Sequence, residues 1–180
     1  MADTIARASA LEGRFLNADG LTLVRAEPAA RLSLRAPKTA IKSLSKALGL
    51  DLPERPKTSS AKDGRAALWL GPDEWLVIDE NQADLAGACA SVAEFHSAVD
   101  VSHRNTAVLV SGARVETVLN AGCPQDLSLD AFPVCACSRT VFGKAEVILW
   151  RTGADAFRVE CWRSFSDYVF MLLEQATRDR

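Results

Sequence analysis

Leu34, Leu44, Asp51 and Leu52 recur 75 positions later as Leu109, Leu119, Asp126 and Leu127. Further on, a strand ending in an aromatic, a Gly-containing turn, an Asp and an aromatic strand occur twice. The first copy is Trp69-Leu70-Gly71-Pro72-Asp73-Glu74-Trp75; the second runs from Leu149-Trp150 through Gly153 and Asp155 to Phe157. A chain that repeats itself in this way is expected to fold as two equivalent units, each a sheet with one face covered by helices. The fold class read from this is α+β, with duplicated β-α-β-β-α units and pseudo-two-fold symmetry. Residues 21–180 are assigned to one domain built from repeats of about 21–95 and 97–180, after a loosely ordered arm over residues 1–20. A length of 180 residues suffices to bury a core of that kind.

The local pattern fills in the units. Leu21–Val24 and Arg31–Ala36 read as short strands. Pro37 then opens a helix whose Ala40, Ile41, Leu44, Ala47 and Leu48 share a face, and Gly49 ends it. The segment 53–64, rich in Pro, Ser and charge, reads as a mobile surface loop. Strands follow over Ala66–Leu70 and Glu74–Asp79, then a helix over Gln82–Phe95. In the second half, Ser97–Val101 and Thr106–Val110 are apolar strands, and Gly112 and Gly122 bracket a helix carrying Val115, Val118 and Leu119. Strands come next at Thr140–Phe142 and Ala145–Arg151. The strand after them alternates Phe157, Val159 and Cys161 with Arg158 and Glu160, an apolar face against a polar one. Ser164 with Asp167 forms a capping box for a last helix with Phe165, Tyr168, Val169 and Leu172 inward. The duplication predicts that the helices after Pro37 and Gly112 pack on strands holding Leu68 and Leu70, and Val147 and Leu149. It also predicts that Asp51 and Asp126 tie down the turns beyond them.

Charge and cysteine usage narrow the function. A net charge of −2, with basic residues scattered among acids, is the wrong surface for nucleic acid. No apolar run has the length of a membrane span. The first residues lack the apolar core of a secretory signal, and Asp3 and Glu12 interrupt the basic residues that a mitochondrial transit peptide would show. Five cysteines, two of them (Cys89 and Cys161) inside apolar segments, fit reduced thiols in a cytoplasm. Cys135-Ala136-Cys137 has no paired histidine motif to complete a zinc site, so the reading assigns no metal.

Nor does the sequence hold the usual apparatus of chemistry. It contains neither G-x-G-x-x-G nor a P-loop, and no G-x-S-x-G elbow. No flanking signature joins Cys123 or Cys137 to His103 as a nucleophile pair. Asp73 and Glu74 suit an exposed hairpin turn. The segment that stands out is Asp100-Val101-Ser102-His103-Arg104-Asn105, a dense polar run between apolar strands. Two readings stand beside each other: a contact site for a ligand or partner, or a turn whose Asp100 and Asn105 bond local backbone amides. Trp69, Trp75 and Trp150 are assigned to the core. Trp162, on the polar side of its strand, is assigned to an interface together with Asp100, His103, Arg104 and Arg163.

Several phrases in order carry a family resemblance. They are Ala67-Leu68-Trp69-Leu70-Gly71-Pro72-Asp73-Glu74-Trp75-Leu76, the Asp100–Thr106 run, and Gly122-Cys123-Pro124 with Asp126-Leu127. Ala131-Phe132-Pro133 and Arg163-Ser164-Phe165-Ser166-Asp167-Tyr168 follow. From about Leu21 onward the chain resembles the gamma subunits of heterotetrameric bacterial sarcosine oxidase. The Asp100 run, followed by a strand, Ser111-Gly112 and a helix, also resembles the folate-binding aminomethyltransferases of the glycine cleavage system. The resemblance implies an accessory subunit, partnered by alpha, beta and delta subunits, of an enzyme that oxidises sarcosine to glycine and reduces oxygen to hydrogen peroxide. Formaldehyde or methylene-tetrahydrofolate is the other product. It implies that FAD, FMN, NAD and zinc reside in the other subunits and none in this chain, which carries no catalytic residue. A stand-alone folate-binding or aminomethyltransferase-like protein, with Asp100 as the only carboxylate to nominate for a pterin, is the alternative.

Overall fold

The alternating segments of the sequence pair into two antiparallel sheets. The computed structural model describes residues 10–18 and 20–178. In chain order the elements are β1 (Phe15–Ala18), β2 (Leu21–Arg25), β3 (Ala30–Arg35), α1 (Lys38–Leu48), β4 (Ser59–Lys62), β5 (Arg65–Gly71), β6 (Glu74–Asp79) and α2 (Leu85–Ala90). Then come β7 (Ser97–Asp100), β8 (Asn105–Gly112), α3 (Val115–Asn120), β9 (Cys137–Phe142), β10 (Ala145–Gly153), β11 (Ala156–Trp162) and α4 (Ser166–Arg178). One sheet has the order β4-β5-β6-β3-β7, the other β9-β10-β11-β8-β2-β1.

Those orders establish the duplication, and they show how the units interlock. The run β3-α1-β4-β5-β6-α2 matches β8-α3-β9-β10-β11-α4 element for element. The strand before each run, β2 or β7, pairs in the sheet of the other unit: β2 against β8 and β7 against β3. The crossings are tied symmetrically, Ala26 N–H donating to the Ala107 carbonyl and Val101 N–H to that of Arg31, each at 2.9 Å. Pairing also sets the true register. Leu34 lies opposite Trp75, and Val110, not Leu109, lies opposite Phe157. Leu109 therefore belongs to the half-buried face, one residue out of the spacing read from the sequence. A β-bulge interrupts β5 at Trp69/Gly71 and β10 at Arg151/Gly153, the same place in both units.

Each sheet buries one face under its helices. In α1 the buried stripe is Ala40, Ile41, Leu44 and Leu48, and Gly49 closes the helix at φ 66°, a conformation that glycine adopts without strain. The stripe packs with Leu32, Leu34, Ala67, Trp75 and Val77. In the second unit Val115, Val118 and Leu119 pack with Val108, Val110, Val147, Leu149, Phe157 and Val159. The second helix thus sits on the strand expected for it, whereas α1 meets the Ala67 face of β5. Leu68, which a period of two puts on the opposite face, points between the sheets with Leu76, Ile78, Val101 and Ile148. A fully buried Leu such as Leu44 contributes about 1.5–3 kcal/mol.

The space between the sheets also receives charge. Arg158 and Glu160, expected on a polar outer face of β11, are 3% and 1% exposed. Glu160 accepts from Arg31 Nε at 2.7 Å and from Arg158 Nε at 2.8 Å, while Arg158 Nη1 reaches Glu80 at 3.1 Å. The alternation was sound, but its polar face is covered by the other sheet. At the rim, Arg139 of β9 bonds Glu74 of β6 at 2.5 Å.

Segment 53–64 is not a free loop. It contains β4, and Thr58 forms a bridge with Ala136. The two residues are counterparts: Trp69 N–H donates to the Thr58 carbonyl, as that of Arg151 does to the Ala136 carbonyl. Each is preceded by a non-glycine residue of positive φ, Lys57 at 59° and Cys135 at 70°. The pseudo-two-fold relation thus passes through the two stretches that look least regular in sequence.

Four further expectations change. Within the arm, Phe15–Ala18 is strand β1, paired with β2; residues 1–9 lie outside the described residues. The helix of 82–95 shrinks to Leu85–Ala90, capped by Asp84, whose carboxylate accepts from Gly87 N–H at 2.8 Å. Gly87 weakens its interior, and the chain leaves at Ser91 to start an edge strand at Ser97. The last helix begins at Ser166 after a 3-10 turn over Arg163–Phe165, so Ser164 lies inside that turn and Asp167 pairs with Arg14 at 3.4 Å. Its buried stripe is Val169, Phe170, Leu173 and Ala176, flanked by Tyr168 and Leu172. Asp126 ties its turn by accepting from Ser128 N–H at 2.9 Å, whereas Asp51 offers its backbone carbonyl to Ser60.

Candidate functional site

The polar run beginning at Asp100 carries the chain from the five-stranded to the six-stranded sheet. Asp100 Oδ1 accepts from Ser102 N–H at 2.7 Å, and Ser102 Oγ accepts from Arg31 N–H at 2.8 Å. The amides of Arg104 and Asn105 both reach the Val101 carbonyl. The Ser102 side chain and N–H hold the Asp100 carboxyl below the usual carboxylate range. This half of the run is a turn, as one of the two readings requires.

The same turn puts His103 and Arg104 on the surface. The Arg104 guanidinium lies 5.2 Å from the centre of the Trp162 ring, and Trp162 leans on Phe165 with centroids 6.1 Å apart. Arg163 N–H donates to the Arg104 carbonyl at 2.7 Å, clasping the end of β11 to the turn. Arg104, Trp162, Arg163 and Phe165 thus form a ridge of cations and aromatics, with Trp162 41% and Phe165 42% exposed. An exposed cation–π pair is worth about 0.5–1 kcal/mol and fixes the arginine in place. Arginine and tryptophan held in this way are the residue types that anchor protein interfaces. Asp100 and His103 share the turn with Arg104. Phe165 escaped the sequence reading because its spacing placed it on the buried stripe of a helix that starts one residue later.

Beside the ridge is an open cleft of about 330 Å³, lined among others by Arg25, Ala29, Ser102, His103 and Arg163. Two of the buried thiols are unsuited to nucleophilic chemistry. Burial pushes Cys137 and Cys161 up to about 12, which keeps them protonated. Cys137 donates to the Thr58 carbonyl at 3.2 Å. No group of three His, Cys, Asp or Glu among the described residues is placed to hold a metal ion. No helix among them is long and apolar enough to cross a membrane.

Two interlocked α+β units around a pseudo-two-fold define a fold shared with aminomethyltransferase T of the glycine cleavage system. The structure of that protein from Bartonella henselae superposes with a TM-score of 0.67 at 15% identity, over 88% of this chain and 46% of that one, a likeness of fold alone. The model of the sarcosine oxidase, gamma subunit family matches residues 35–179, and the chain belongs to that family. It is similar to sarcosine oxidase subunit gamma of an Arthrobacter species, 36% identical over 120 residues that make up 65% of this chain and 59% of the relative. The corresponding subunit of Corynebacterium sp. strain P-1 is 33% identical over 130 residues, 71% and 64% of the two chains. The matched stretches thus span less than two thirds of these relatives. A chain in the structure of heterotetrameric sarcosine oxidase from Corynebacterium sp. U-96, in complex with pyrrole 2-carboxylate, matches with a TM-score of 0.82 at 28% identity. That match covers 94% of this chain and 90% of the other.

Proposed function

We propose that this chain is a non-catalytic accessory subunit of a heterotetrameric sarcosine oxidase and that the Arg104–Trp162–Arg163 ridge, with Asp100 and His103 on its turn, contacts another subunit. The observation that carries this reading is the match across 94% of the chain to a chain of that heterotetramer. In this reading the alpha, beta and delta subunits are the partners, and they hold FAD, FMN, NAD and zinc. The assembled enzyme demethylates sarcosine oxidatively to glycine, with hydrogen peroxide and formaldehyde or methylene-tetrahydrofolate as co-products. Five unpaired cysteines favour a cytoplasmic setting. The folate-binding alternative has less support, because Asp100 Oδ1 is engaged by Ser102 N–H as a turn residue's would be.

Co-expression with the three partner chains, followed by size-exclusion chromatography, tests the proposal. The chain should elute with the flavin-bearing subunits. Purified alone, it should be colourless, inactive on sarcosine and unresponsive to tetrahydrofolate in a titration. A flavin spectrum that survives dialysis of the isolated chain, or saturable folate binding, overturns it.

A further inference from the structure

The pseudo-symmetry leaves one strand without a counterpart. In the six-stranded sheet β2 is covered by β1, Leu16 facing Leu23 and Phe15 facing Val24. β7 holds the equivalent place in the five-stranded sheet, with Ala98 opposite Leu34 as Leu23 is opposite Val110, yet it is an edge. Of its middle residues Ala98 is half-buried and Val99 is 53% exposed, whereas the counterpart Val24 is half-buried; Phe95, just before the strand, is 86% exposed. Val101 N–H bonds the Arg31 carbonyl, so the alternation of an antiparallel ladder turns the amides of Ser97 and Val99 toward β3. Those of Ala98 and Asp100 then point outward. An edge of this kind is a template for another strand.

We infer that β7 accepts an extended segment of another subunit, added antiparallel as a sixth strand where β1 lies in the sister sheet. The inference rests on the accessory-subunit reading, because the turn that ends β7 carries Arg104 and makes edge and ridge one continuous surface. The geometry of β1 specifies the segment. It presents two consecutive apolar side chains, one opposite Ala98 as Leu16 is opposite Leu23, and one opposite Val99 as Phe15 is opposite Val24.

Hydrogen exchange measured on the isolated chain and on the purified heterotetramer tests this. The Ala98 and Asp100 amides should exchange quickly in the isolated chain and about a hundredfold more slowly in the assembly. Ala98→Pro removes an outward N–H, which an edge strand tolerates, so the melting temperature of the isolated chain should hold. Its incorporation should fall about tenfold, as expected for one or two lost main-chain bonds. Val99→Pro, which removes a bond to β3, should instead destabilise the isolated chain. If the tetramer forms while both amides still exchange quickly, strand addition is wrong and the accessory reading survives. If wild-type chain never co-elutes with the other subunits, both fall. Protection of these amides in an isolated dimer assigns the edge to a second copy and overturns the proposal. Should Ala98→Pro not fold, the wild-type exchange pattern decides.

Discussion

Leu76 and Ile78 on β6 occupy the places that Arg158 and Glu160 take on β11, since Trp75 and Phe157, one residue before, pair equivalently with β3 and β8. Both pairs point into the space between the sheets. The first unit contributes Leu68, Leu76 and Ile78 to it, the second Arg158 and Glu160, the carboxylate held bidentately by Arg31 of β3 across the space. On the helix-covered faces the units agree far better: Trp75 matches Phe157 and Val77 matches Val159, all buried. A helix stripe demands apolar neighbours, and so holds the two copies to one pattern. The inter-sheet layer needs only that each face complement the other, and so lets them diverge into an apolar patch and an ionic one.

Removing the shared carboxylate is the strongest way to break that contrast. Glu160→Ala leaves buried Arg31 without its anion and Arg158 with Glu80 alone, and should cost about 3–5 kcal/mol in urea unfolding. Ile78→Ala, at the equivalent site, should cost about 2–5 kcal/mol through a cavity alone. Replacing Arg31, Arg158 and Glu160 together by apolar residues of similar volume should recover most of the loss. Arg158 Nη2 and the Trp150 indole N–H already lack an acceptor among the described residues. A Glu160→Ala loss below about 1 kcal/mol would mean that water reaches the network and that the layer is not a closed interior.

The next pair fails at opposite ends of the pH scale. Asp79 and Cys161 are counterparts, the residues after Ile78 and Glu160, and both are almost fully buried. Burial pushes the Asp79 carboxyl up, but the Arg65 guanidinium at 2.6 Å and the Ala83 N–H outweigh it and leave it below the ordinary value of about 3.9. Its contribution is therefore complete above about pH 4 and lost as pH falls through the folded value. For Cys161 burial raises the thiol to about 12, so its contribution is complete below about pH 8.5 and drains as pH rises toward 12. Urea midpoints across pH should show Asp79→Asn flattening the acid limb and Cys161→Ala flattening the alkaline one. If each variant leaves its limb unchanged, other groups carry it.

The helix-facing half of each repeat was legible in sequence because periods of two and 3.6 are local properties. Thus β6 begins and ends where the pattern puts it, and α1 stops at its glycine. What escaped depends on the partner surface. β4 is a Ser-Ser-Ala-Lys strand with no apolar alternation, made a strand by β5 alongside it. The burial of Arg158 and Glu160 requires the second sheet, and the one-residue slip between Leu109 and Val110 appears only once pairing is known. In the candidate site, Arg104 meets Trp162 and Arg163 only because the turn and the end of β11 are neighbours in the fold. Phe165 was hidden by an assumed helix start.

Asp100 and Arg25 share a position at the end of the swapped strands, and they test the two roles of the polar run. Asp100→Ala removes the bond to Ser102 N–H and should destabilise the isolated chain by about 1 kcal/mol. Arg104→Ala should change its thermal stability by no more than about 0.5 kcal/mol, as surface substitutions do, while weakening assembly with the other subunits. Arg25→Ala, at the half-exposed counterpart, should do neither. Equal losses from Asp100→Ala and Arg25→Ala would show that the turn gains nothing from its carboxylate.

The smallest effect concerns Lys57 and Cys135, the positive-φ residues beside the Thr58–Ala136 bridge. An L-residue in the left-handed region carries about 1–2 kcal/mol of strain, which glycine avoids at a cost of about 0.5–1 kcal/mol in chain entropy. Cys135→Gly should therefore stabilise the chain by about 0.5 kcal/mol, since Cys135 is exposed and little burial is lost with its thiol. Lys57→Gly should gain less, because the lysine amine lies 6.0 Å from the centre of the Phe132 ring and its loss removes that attraction. Cys135→Val runs the argument in reverse: a β-branched side chain resists positive φ, so this variant should lose more than about 1 kcal/mol. Melting temperatures of the three variants separate the causes. If Cys135→Gly is destabilising while Cys135→Val is neutral, the backbone at the bridge is not held in the left-handed region, and Lys57 and Cys135 cease to mark equivalent points of the two units.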